Sequence, residues 1–148
     1  MNALIRDEWL GAMVAVLIMT LCILVFVSRL AGRPAAEHRL GIALLLTALP
    51  LFYLLFRAPR FQRPPLFYVQ IGLMLLYLAV EFVLDYWLRI DFRTTRWAVI
   101  SYVTLFFAGT GGMIGVASLA GRGWSITSVS LFLLMAVLAF VQRRITGM

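Results

Sequence analysis

Glu81 and Asp85 are the only acids inside an apolar run of this 148-residue chain, and they stand one helical turn apart. Carboxyl groups so placed can exchange a proton or hold a cation, as intramembrane acids do in relays and transporters. An ionised side chain at the bilayer centre costs about 2.5–3.5 kcal/mol on insertion scales, and two carboxylates one turn apart also repel. At least one of the two must therefore be protonated or paired.

Gln70, Met74, Tyr77, Glu81, Asp85 and Arg89 recur in steps of three or four and so share one helix face. A polar stripe on an otherwise apolar helix faces protein or water. Tyr77 can donate to Glu81 from the preceding turn, and Arg89 can pair with Asp85 from the following one. One reading makes Glu81 and Asp85, with Tyr77, Gln70 and Arg89 around them, a proton or ion site lining a cavity. The other makes them a structural clamp tied to Arg89, Arg93 or Arg96, with Asp85 snorkelling to the headgroups. The nearby arginines favour the clamp.

The run Ala108, Gly109, Thr110, Gly111, Gly112, Met113, Ile114, Gly115 holds two small-xxx-small pairs, Ala108 with Gly112 and Gly111 with Gly115. Where lipid offers no hydrophobic drive, small residues let helix backbones approach closely, so Ala108, Gly109, Gly111, Gly112 and Gly115 read as a helix-packing seam. The sharper alternative is a broken helix whose exposed amides line a substrate site. Ser125, Thr127, Ser128 and Ser130 crowd the start of the next apolar run, where they could cap it, bond across to its neighbour, or border a polar vestibule.

For catalysis the inventory is thin. There is no GxSxG elbow, HExxH pair, glycine-rich phosphate loop or paired-aspartate metal motif. Cys22 is the lone cysteine and His38 the lone histidine, which excludes an intrachain disulfide and argues against a bis-histidine haem or a histidine-rich metal site. No metal and no cofactor are expected.

The elements that must position these groups are apolar throughout. The chain is 64% hydrophobic and 13% charged, against roughly 45–50% and 25% in average soluble domains. Apolar runs at about 9–27, 40–56, 66–88, 97–119 and 124–141 predict five transmembrane helices in one domain, residues 1–148: an all-α integral membrane bundle with the third and fourth spans at its centre. The third run, opened by Pro65, has roughly 23 residues and spans about 34 Å, enough for a hydrocarbon core of about 30 Å. Trp9, Trp87, Trp97 and Trp124 fall at span ends, where indole rings prefer the headgroup level. The first run is longer than a signal peptide's apolar core and lacks a positive head, so it reads as a retained span. Gly32 and Pro34 stop a helix within a polar loop that carries Arg29, Arg33, Glu37, His38 and Arg39. Pro50 lies inside the second run and predicts a kink near Thr47, whose hydroxyl could serve the freed carbonyls.

All 13 basic residues are arginines, giving a net charge of +7, and they cluster in short segments between spans. Five lie on the side of the N-terminus and eight on the other, so the positive-inside rule places the N-terminus out and the C-terminus in, as in a prokaryotic cytoplasmic membrane. The arginines form no long basic face interleaved with aromatics, which argues against nucleic acid and for anionic lipid headgroups at the Arg-rich loops.

The leading functional expectation is a non-enzymatic multi-pass protein that works through helix–helix contacts, as a homo-oligomer or as an accessory subunit of a larger membrane complex. Its rival is a small proton- or cation-coupled transporter or channel using Glu81 and Asp85. A third class, an intramembrane enzyme acting on lipid, requires further polar residues converging on the third span.

Overall fold

A computed structural model describes residues 3–87 and 95–146, except for the side chains of residues 3, 4, 61, 85, 86 and 146. The regular structure among them is entirely helical: α1 (Ala3–Leu30), α2 (Pro34–Leu46), α3 (Ala48–Arg57), a short 3-10 turn (Ala58–Phe61), α4 (Pro65–Glu81), a π-helical turn (Phe82–Trp87), α5 (Arg96–Ser118) and α6 (Arg122–Thr146). Five stretches are long and apolar enough to cross a membrane: Ile5–Leu30, Pro34–Arg60, Pro65–Leu84, Arg96–Ser118 and Arg122–Ile145. The protein is an all-α membrane bundle of five spans.

The second span differs most from expectation, at 27 residues rather than the 17 of its apolar run. Gly32, at φ +68°, takes the left-handed conformation that ends α1, but Pro34 starts α2 instead of stopping a helix. Proline at the first helical position has no donor to waste and a φ already suited to the helix. Glu37, His38 and Arg39 therefore ride on the first turns of α2 and not in a loop.

The helix breaks at Thr47, between α2 and α3. Pro50 falls in the first turn of α3, where its missing N–H leaves the Leu46 carbonyl without its usual donor. The Thr47 hydroxyl donates to the Leu44 carbonyl and not to that of Leu46, because a threonine side chain in a helix reaches back three or four residues.

The packing centre also differs. α4 packs most extensively on α5, but it is α1 and α5 that tie the bundle together: α1 touches α2, α3, α5 and α6, and α5 touches α1, α4 and α6. Ile18, Met19, Ile71, Met74, Met113 and Met135 are fully buried where these helices meet.

At the end of the bundle that holds the start of α1, acids of α1 meet one arginine at the end of the second span and one just beyond it. Arg57 Nε donates to Asp7 Oδ2 at 2.6 Å, and Arg63 lies 3.4 Å from Glu8. Asp7 is 5% exposed. These pairs join the N-terminal turns to the end of the second span and the loop after it, as an even number of intervening crossings requires.

Candidate functional site

Glu81 closes α4, and immediately after it the backbone widens into the π-helical turn Phe82–Trp87. Such insertions are frequent at functional sites because they re-aim side chains without ending the helix. Asp85 lies in this turn; its side chain, together with Arg89 and Arg93, falls outside the described residues. Arg96, the remaining clamp partner considered, is exposed at the first position of α5.

From Gln70 to Glu81 the polar stripe runs along the face of α4 that meets α5. A Cβ added at Gly109 would come within 3.2 Å of the Met74 Cα, and one at Gly112 within 3.3 Å of the Gln70 Cα. At Gly115 it would collide with the Gln70 amide, 2.1 Å from Nε2. The row that faces α4 is thus Gly109, Gly112 and Gly115, at a spacing of three. Gly111 turns instead toward Phe132 of α6, at 3.9 Å, and Ala108 is exposed. The broken-helix alternative is overturned, since α5 runs uninterrupted from Arg96 to Ser118.

Beyond the glycines, aromatic rings take over the interface. Tyr77 packs against Tyr102 at 5.6 Å between centroids and against Phe106 at 5.2 Å. The Tyr102 hydroxyl donates to the Glu81 carboxylate, the Tyr77 hydroxyl reaches the same oxygen at 3.4 Å, and the two hydroxyls lie 3.1 Å apart. Glu81 is 9% and Tyr77 3% exposed, so this triad is held in the interior by two helices that pack tightly just below it.

The triad lines a cavity of about 500 Å³. α1 contributes Cys22, Phe26 and Arg29, α2 contributes Glu37 and His38, α5 adds Phe106 and Phe107, and α6 adds Gln142 and Arg143. Arg29 clips the α1–α2 hairpin at this end: its Nε and Nη2 lie 2.7 and 2.6 Å from Glu37 Oε1. A carboxylate, tyrosine hydroxyls, an imidazole and an arginine–glutamate pair thus converge from four helices on one space. Such a space can hold a cationic or zwitterionic guest, or pass a proton between Glu81 and the mouth.

Among these residues only Tyr77 and Glu81 had been singled out for the site from spacing. Tyr102, Arg29, Glu37 and His38 join it through tertiary packing. The one local signal was Tyr102 itself, a polar ring inside an apolar run. The hydroxyl cluster of α6 is less engaged: Ser118 of α5 bonds across to Ser125 at 3.2 Å, whereas Thr127, Ser128 and Ser130 donate to carbonyls of their own helix and cap nothing. Among the described residues no group of three metal-ligating side chains comes together.

Compared with protein-family models, with curated proteins and with solved structures, the chain matches none.

Proposed function

We propose that this protein is a small membrane transporter in which Glu81 is the proton- or cation-binding site and the cavity in front of it is the place of the transported species. The observation that carries this reading is the position of Glu81, buried in the bundle between the hydroxyls of Tyr77 and Tyr102 and lining a cavity of about 500 Å³. A protonated carboxyl in such a cavity can release its proton as a cation arrives and recover it as the cation leaves, which couples the two movements. The π-helical turn beside Glu81 supplies an element able to shift register.

The reading by helix–helix contacts between chains loses one of its grounds. Gly109, Gly112 and Gly115 already pack against α4 of the same chain, so the close approach they allow is used within the chain. A second copy is compatible with transport but is not required by it. Outward-facing side chains of α6 such as Ile126, Leu133 and Val137 suit acyl chains. The positive-inside bias supports an N-out, C-in orientation, with the mouth that carries Arg29 and Arg143 at the cytoplasmic face and its arginines near anionic headgroups.

The test uses purified protein in vesicles that contain a pH-sensitive dye. Gradients of sodium, potassium and quaternary ammonium ions are imposed in turn. At least one should drive proton movement beyond that of empty vesicles, and Glu81→Gln, which keeps shape but cannot ionise, should abolish it while remaining folded. Proton movement that survives in Glu81→Gln, or that no cation in the set elicits in the wild type, would overturn the reading.

A further inference from the structure

We infer that the cavity takes a hydrophobic organic cation, such as a quaternary ammonium or phosphonium with aryl or alkyl arms, seated with its charge toward Glu81; this rests on the exchange role proposed for that residue. The rings beside the carboxylate form an unbroken series. Tyr102 touches Tyr77 at 5.6 Å, Tyr77 touches Phe106 at 5.2 Å, and Phe106 touches Phe26 at 5.9 Å, all four lining the cavity. Aromatic rings attract cations through their electron-rich faces, most strongly when water is excluded, and a carboxylate among such rings adds the counter-charge.

A hard inorganic cation is served less well. Such ions need a shell of several oxygen ligands, whereas the triad gathers one carboxylate and two tyrosine hydroxyls, and the Cys22 thiol and the rings of Phe26 and Phe106 stand on the same cavity wall. The size fits an organic guest, since about 500 Å³ lies within the roughly 300–1,000 Å³ of pockets that enclose drug-sized ligands. At the mouth Arg29 is held to Glu37 at 2.6 Å, which offsets its charge; Arg143 also lines the cavity, and its positive charge is one that Glu81 and the rings must outweigh.

Tetraphenylphosphonium and tetraphenylborate share size and shape and differ in the sign of their charge. Equilibrium dialysis of each, in labelled form, against the purified full chain in detergent separates the electrostatic contribution from simple partitioning. Saturable retention of the phosphonium and not of the borate is expected. Glu81→Gln should weaken it about tenfold or more, as loss of a charge contact in a low-dielectric site implies. Phe106→Leu, which keeps an apolar wall but removes a ring, should weaken it roughly two- to fivefold. If Glu81→Gln fails to fold, Phe106→Leu and the borate comparison still decide. Saturable borate retention equal to that of the phosphonium, or phosphonium binding unchanged in a folded Glu81→Gln, would overturn the inference. Sodium- or potassium-driven proton movement persisting alongside that failure would show that the ligand class was wrong while Glu81 still exchanges, so the two ideas fail separately.

Discussion

The hydroxyl of Tyr102 on α5 donates to the carboxylate of Glu81 on α4, and so ties the most extensively packed helix pair at its cavity end. Tyr102→Phe keeps the ring contact with Tyr77 and removes that donor. An intramolecular hydrogen bond contributes about 0.5–1.5 kcal/mol, so the variant should melt a few degrees below wild type in detergent while still folding. An unchanged melting temperature would mean that the bond contributes nothing to the native state.

Two glycines of neighbouring helices should respond in opposite directions to alanine. At Gly109 the new methyl would meet the Met74 Cα at 3.2 Å and the Leu73 carbonyl at 3.3 Å, backbone atoms that move only if α4 moves. Overpacking of that kind costs about 1–3 kcal/mol. At Gly72 an added methyl would meet nothing within 4 Å beyond the adjoining backbone of its own helix, so Gly72→Ala should gain about 0.5–1 kcal/mol from the lower entropy of the unfolded chain. Thermal melts of the two variants beside wild type check the contrast.

The number and order of spans were legible because each is a long apolar run bounded by arginines, with tryptophans at the ends. Boundaries were legible only where polarity and helicity stop together. At Glu37, His38 and Arg39 they do not: proline at the first position starts α2 before the sequence turns apolar. The stripe from Gln70 to Glu81 was legible from its period, and its partner face was not, because periodicity shows that residues share a side without saying what covers it. The glycine row shows the same limit. A spacing of four drew attention to Ala108 with Gly112, whereas the contact with α4 uses Gly109, Gly112 and Gly115. Arg29 and Glu37 are eight residues apart on either side of a turn, and no local pattern marks them as one ion pair.

Asp7 and Arg57 form an ion pair at the end of the bundle away from the cavity, with Asp7 5% exposed and the contact at 2.6 Å. Asp7→Asn should lower the melting temperature, since it leaves the half-buried Arg57 beside a neutral amide in place of a carboxylate. Arg57→Gln should do likewise, and the double variant should lose less than the two losses added together. Additive losses would show that the two side chains act independently.

Five crossings place the turn after the second span and the segment before the fourth on opposite sides of the membrane. With Cys22 replaced by alanine, single cysteines at Gln62 and Thr95 should react with a membrane-impermeant maleimide from opposite faces of oriented vesicles. Under the N-out orientation Gln62 labels from outside. Labelling of both positions from the same face would exclude the five-span topology.

The most direct measurement is of Glu81 itself, by reaction with the hydrophobic carbodiimide dicyclohexylcarbodiimide, followed by peptide mapping. This reagent enters from the membrane and adds to protonated carboxyls in apolar surroundings. An exchange site that opens on a cavity should form an adduct at Glu81, more slowly as the pH rises and the carboxyl spends less time protonated, and the adduct should stop cation-driven proton movement. A Glu81 that stays unmodified in the folded protein at every pH, or that reacts without any effect on proton movement, would contradict its role as the exchange site.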